Sequence, residues 1–321
     1  MLKLISNITS TGSVKGLPTP SMQILEHIIV DRPADPETLV LAHKDAKLYV
    51  ASHKGSLSKS AVETANPSTW LDPATCVPPQ EVCLQNIYPA HQALFTRYVY
   101  PGDMEMTADV YVKRVNVLDI VYHHGMSSLT KPRTSQLVVR EAFVCELLRR
   151  NPHRNIAVYK GVLTGMQLTY FYRGLPVQIP MPTERVLGLV FQRYDCTLYD
   201  LVMRRQDIDV QRCLTSIALG IHHLHTLGLV HCDIKPKNIF VRRYGHARRD
   251  LFVVGDFDSA QVVGSVLKLK GGDLKWSRRK VLGRDVAERE DDWYAFERLK
   301  TWLCREVGED AGEYAEIGRW G

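Results

Sequence analysis

Apolar and polar residues alternate through Asp109–Val115, a stretch rich in β-branched and aromatic side chains, which predicts a strand with Tyr111, Lys113 and Val115 on one face. Lys113 is thereby expected to project from a face otherwise suited to burial. The period then changes. From Thr134 to Arg150 there is no Gly or Pro, and Leu137, Glu141, Val144 and Leu148 recur at helical spacing, so Glu141 shares the apolar stripe of a helix. Strand-like runs over 155–163 and 185–191 flank 175–182, whose prolines predict a linker. Beyond Arg193 the spacing is helical over 197–205 and 210–227, the second run stopping at Gly228. Two short strands over 238–242 and 251–254 precede a last helix from about Asp292 to Val307. The pattern is α+β, with a small β-rich lobe over 85–192 and a helical lobe over 193–321. Residues 1–84 hold only short apolar runs, such as Ile24–Val30 and Leu39–Ala42, among Pro, Ser, Thr and Asn. They read as an N-terminal extension or as an elaboration of the β-rich lobe.

Between the long helix and the first short strand lies Val230-His231-Cys232-Asp233-Ile234-Lys235-Pro236-Lys237-Asn238-Ile239-Phe240. Apolar residues anchor both ends, and His231, Asp233, Lys235 and Asn238 are the polar groups it presents, the composition of an active-site loop. The second short strand runs into Gly255-Asp256-Phe257-Asp258, placing Asp256 where a carboxylate is costly unless it meets a cation.

These motifs resemble the eukaryotic protein-kinase superfamily, with its His-Arg-Asp-x-Lys-Pro-x-Asn loop followed by Asp-Phe-Gly. The resemblance runs from about Asp109 to Arg305 and implies a bilobal kinase fold. It also implies transfer of the ATP γ-phosphate to Ser or Thr hydroxyls of protein substrates. On that resemblance Asp233 receives the hydroxyl proton and Lys235 faces the γ-phosphate. Lys113 holds the α- and β-phosphates and Glu141 pairs with it; Asn238 and Asp256 ligate Mg2+. Phe191 is similar to the gatekeeper, Gln192–Tyr194 to the backbone that reads adenine, and Asp292 to the buried aspartate that braces the catalytic loop. Lys235 favours a Ser/Thr acceptor.

Six features depart from the family pattern. Gln85–Met106 holds only Gly102, so no run of glycines is available to cover phosphates. Tyr111 stands where a small residue is usual beneath adenine. Cys232 replaces the arginine before the catalytic aspartate, which argues against switching by loop phosphorylation and reads as a small, inert buried thiol. Asp258 stands in the glycine position, where a side chain restricts φ > 0 and adds a second carboxylate. The lower lobe reads as shortened after the helix near Asp292, either natively or because the sequence is a fragment, and no Ala-Pro-Glu closes the segment 259–290. These departures support a second reading, a pseudokinase acting as scaffold or allosteric partner. A small-molecule phosphotransferase is weakened by Lys235-Pro236.

Composition adds little to this picture. With 45% hydrophobic residues in 321, the chain can bury one large core or two modest ones. The net charge of +6 favours acidic or phosphate-bearing partners weakly, and no nucleic-acid partner is expected. The basic cluster Lys268–Lys280 reads first as a solvated loop and second as a surface that attracts an acidic peptide. Seven scattered cysteines point to a reducing compartment, cytoplasmic or nuclear. Met1 to Pro18 has no sustained apolar run and no stretch approaches the roughly 18 apolar residues of a membrane span, so no membrane association is expected.

Overall fold

The computed structural model describes residues 23–30, 36–57, 76–99, 109–172, 174–245, 247–278 and 280–318. Gly102 and most of the proline-spaced stretch 67–79 lie outside them. The chain divides into two compact units, one drawn from Met1–His91, Arg114–Ser135 and Thr164–Leu187, the other from Gln92–Lys113, Gln136–Leu163 and Gly188–Gly321.

The first unit is built on an antiparallel sheet in the order β1 (Gln23–Val30), β2 (Glu37–Lys44), β3 (Lys47–Lys54), β4 (Cys76–Glu81). The apolar runs of the N-terminal stretch supply its inner strands: Leu39, Val40, Leu41 and Ala42 are all buried, as a central strand covered on both faces requires. A two-residue turn, Asp45-Ala46, joins β2 to β3 with both φ angles positive (49° and 59°), the hand that matches strand twist. A short helix α1 (Leu84–Ile87) follows, and α2 (Val117–His124), capped by the Asn116 side chain on the Leu118 and Asp119 amides, packs on β1 and β2.

The second unit carries the residues singled out by sequence. Strand β5 (Val110–Arg114) belongs to a sheet ordered β5-β7-β6, with β6 Tyr159–Tyr172 and β7 Leu175–Gln192, of which residues 164–172 and 175–187 count with the first unit. The prolines of 175–182 do not make a linker. Pro176, Pro180 and Pro182 occupy exposed positions of β7 while Ile179 and Met181 are buried, a period of two that keeps the missing N–H groups on one side. A Cβ on Gly188 would meet the Lys113 carbonyl at 2.8 Å, so only glycine lets β7 approach β5 there.

Helix α3 (Arg133–Arg150) spans the predicted helical run, and Glu141, Val144 and Leu148 are buried along it. After β8 (Cys196–Thr197) come α4 (Leu198–Met203), opened by a Thr197–Asp200 capping box, and α5 (Val210–Thr226). Val210, Cys213, Leu214, Ile217, Ile221 and Leu224 form the buried face of α5. It packs against β9 (Leu229–Val230), β11 (Leu251–Val254) and α6 (Arg289–Val307), while β10 (Ile239–Arg242) pairs with β11 and β8. β12 (Gln261–Val262) pairs with β9.

Candidate active site

Strand β5 and helix α3 bring Lys113 and Glu141 together. The Lys113 ammonium donates to Glu141 Oε1 at 2.8 Å and Oε2 at 2.9 Å, to Asp256 Oδ1, and to Asp258 Oδ2 at 3.4 Å. Burial alone would lower the lysine's pKa, but the three carboxylates outweigh it and hold it well above its usual value. Burial pushes Glu141 up to about 7, with Lys113 pulling the other way. The strand face differs from expectation. Val110 and Val112 are the buried residues of β5, whereas Tyr111 is 50% exposed, because the Tyr111 and Lys113 side borders a cavity rather than the core.

The loop after β9 folds around Asp233. Its Oδ2 accepts from Lys235 Nζ at 2.8 Å and Asn238 Nδ2 at 3.1 Å, and its Oδ1 from the Asp273 amide at 2.9 Å. Asn238 Nδ2 also bonds the Asp233 carbonyl at 2.9 Å, fixing the turn. Asp292, fully buried near the start of α6, accepts from the His231 and Cys232 amides at 2.8 Å each and faces His225 Nε2 at 3.0 Å. His231 Nε2 lies 3.0 Å from the Gly255 carbonyl. The Gly255 amide in turn bonds the Asn238 carbonyl at 2.9 Å, so the two loops are stitched together beneath Asp233 and Asp256. Cys232 and Asp256 both hold left-handed φ (64° and 65°), strained for non-glycine residues. Asp258 does not need the positive φ of a glycine position. Burial pushes the Cys232 thiol up, as an inert thiol requires.

A cavity of about 450 Å3 is lined by Tyr111, Lys113, Phe191, Tyr194, Asn238 and Asp256 among others. Gln192 and Arg193 spend their amides on the Val158 and Asp109 carbonyls (2.8 Å each). The Tyr194 amide has no partner among the described residues. Asn238 commits its NH2 end to Asp233, which leaves its oxygen and Asp256 Oδ2 as hard donors on one wall. Among the described residues no group of three or more His, Cys, Asp or Glu is placed to hold a metal. Two protein oxygens do fit Mg2+, which takes few protein ligands and completes its shell with water and phosphate.

Sequence reasoning missed the partners that close the site. Lys270 bonds Asp258 at 2.6 and 2.7 Å, and Arg140 donates to the Asp258 carbonyl. Burial would raise the Asp258 carboxyl, but Lys113 and Lys270 hold it well below the usual range. Arg278 and Lys280 pair with Glu288 and Asp291. The basic run is therefore only partly a solvated loop: Lys270, Arg278 and Lys280 have carboxylate partners, whereas Lys268 and Lys275 are exposed. Cations set in a run without period carry no signal of direction, so only the closed chain reveals these pairs.

A family model described as Protein kinase domain matches residues 124–297, more than half of the chain. The chain belongs to the protein-kinase superfamily. The match takes in Glu141, Asp233, Lys235, Asn238, Asp256 and Asp292 and begins after Lys113. Among curated proteins, this kinase-family chain is 29% identical over 143 residues to the sporulation protein kinase mde3 of Schizosaccharomyces pombe, covering 42% of this chain and 22% of that protein. It is 29% identical over 90 residues to human ribosomal protein S6 kinase alpha-1, covering 27% of this chain and 12% of that protein. The match thus spans less than a quarter of these relatives' length. Among solved structures, the yeast RNA Pol II CTD kinase complex shares 19% identity with a TM-score of 0.38, covering 53% of this chain and 50% of that one. No helix among the described residues is long and apolar enough to cross a membrane.

Proposed function

We propose that the second unit binds ATP with Mg2+ and transfers the γ-phosphate to Ser or Thr hydroxyls of protein substrates. The observation that carries this reading is the arrangement around Asp233: a buried carboxylate with Lys235 at 2.8 Å and Asn238 at 3.1 Å, in the same unit as the Lys113–Glu141 pair. A carboxylate has about four acceptor positions. The three internal donors to Asp233 leave one for the incoming hydroxyl. Asp233 would take the hydroxyl proton as the new O–P bond forms and the bond to the β-phosphate bridging oxygen breaks, ADP leaving. Lys235 would neutralise charge gathering on the transferred group, and Lys113, oriented by Glu141, would hold the α- and β-phosphates. Tyr194 N–H and the Gln192–Tyr194 backbone would meet the adenine edge. Asn238 and Asp256 would hold Mg2+, which when bound neutralises phosphate charge. The division into 85–192 and 193–321 as the two kinase lobes, with 1–84 as an addition, belongs to the same proposal. A reducing compartment, cytoplasmic or nuclear, belongs to the same proposal.

A scaffold reading is favoured by one observation, the Asp273 amide seated on Asp233 Oδ1 at 2.9 Å. Two measurements separate the readings. ATP with Mg2+ is expected to raise the melting temperature, and Asp256→Ala to remove most of that rise. Transfer to a mixed peptide panel is expected to fall by at least ~100-fold in Asp233→Asn. No melting shift at millimolar nucleotide, or equal transfer by both proteins, would favour the scaffold.

A further inference from the structure

Helix α6 turns Tyr294, Arg298, Trp302 and Arg305 to one side at three- and four-residue spacing, and with Lys275 and Trp276 they line a groove of about 300 Å3. The floor is aromatic. Trp276 and Trp302 meet edge to face with centroids 5.7 Å apart, each only 7% exposed, and Trp302 stacks on Tyr199. The rim is cationic. Lys275 Nζ sits over the Trp276 ring at 5.5 Å and Arg298 over Tyr294 at 5.8 Å. The rim carboxylate Glu297 is engaged by Lys300 at 2.8 Å, and Arg305 shares its charge with Glu306 at 2.7 Å. Within the basic segment, Lys270, Arg278 and Lys280 are held by carboxylates, whereas Lys275 has no carboxylate partner among the described residues.

The groove also lies close to Asp233. The Asp273 amide touches the Asp233 carboxylate at 2.9 Å, and Lys275 and Trp276 follow two and three residues later. Three residues span at most about 11 Å. A peptide with its hydroxyl at Asp233 reaches the groove within about four residues.

We propose that this groove binds an acidic segment of the protein substrate. Carboxylates about three or four residues from the acceptor would meet Lys275 and Arg298, and an apolar side chain would rest on Trp276 and Trp302. The assignment rests on the kinase reading above.

Three fluorescent peptides of equal length test it, each with one serine and a leucine, flanked by Glu and Asp, by Gln, or by Lys. With the full chain, anisotropy is expected to show the acidic peptide binding at least about tenfold tighter than the others and weakening with salt. Lys275→Glu/Arg298→Glu is expected to lose that preference while keeping the melting shift with ATP and Mg2+; Lys275→Glu alone serves if the double variant does not fold. Equal binding of the three peptides, or an acidic preference untouched by Lys275→Glu, overturns the proposal. So does an oligouridine strand that binds as tightly and competes, which assigns the groove to RNA, or self-association that excludes the peptide. Acidic-peptide binding without phosphate transfer overturns the kinase reading instead and leaves the groove as an acidic-peptide site.

Discussion

Glu141 is shielded from water, and its pKa of about 7 lies above the 4.5 of an unfolded chain. Between those values the folded protein holds the proton more tightly, so the carboxyl's contribution is fully present below pH 4.5 and is lost as pH rises through 7. Urea denaturation of the nucleotide-free protein is expected to show stability falling across that window, and Glu141→Gln to flatten the slope. An unchanged slope in the variant would place the titration elsewhere. Asp258 has the opposite sign. Its carboxyl is depressed, so its contribution is present above the ordinary carboxylate range and disappears as pH falls below it. Glu141 was legible in the chain because helical spacing put a charge on an apolar stripe. Lys270 was not, because its partner Asp258 lies twelve residues back and no period marks the direction of either side chain.

At the scale of elements, α6 does more than fill the core: through Asp292 it fixes the backbone of the loop that carries Asp233. Asp292→Ala leaves two buried amides without acceptors and is expected to cost about 2–5 kcal/mol. Chemical denaturation reads the loss, and hydrogen exchange is expected to quicken first at His231 and Cys232. A second element, the segment around Lys270, is tied to the site by Asp258. Asp258→Gly is expected to free it, visible as faster trypsin cleavage after Lys268 and Lys270, and to lower the melting temperature at neutral pH; equal cleavage would deny the tie. Element reading from sequence succeeded where period and terminators agreed, as at α5 and at β10 and β11. It failed at β2 and β3, where Asp45-Ala46 makes a turn that favours Asn-Gly and so gives no hairpin signal, and at β7, where prolines hid an alternation.

On the scale of the whole molecule, the described tryptophans Trp276, Trp293 and Trp302 all lie in the second unit, as does every proposed catalytic residue. Nucleotide is therefore expected to shift the tryptophan-detected unfolding transition and to protect amides in 229–262 more than those in β2 and β3. Uniform protection of both units would show that they respond as one. The cavity around Lys113 also carries a consequence beyond its shape. In the cluster at Lys113, at pH above 7 where Glu141 is ionised, two ammonium groups, Lys113 and Lys270, stand among three carboxylates, Glu141, Asp256 and Asp258, which leaves that cluster a surplus of one negative charge. A dication beside Asp256 and Asp258 would offset their charge and that of an entering polyphosphate together, since charges 4 Å apart interact by about 4 kcal/mol at a protein surface. ATP and Mg2+ should therefore be mutual effectors, each raising the affinity for the other by the same factor. Calorimetric titration of ATP at increasing Mg2+, and of Mg2+ at increasing ATP, would read that factor from both sides, and neutralising Asp258 should shrink it in both.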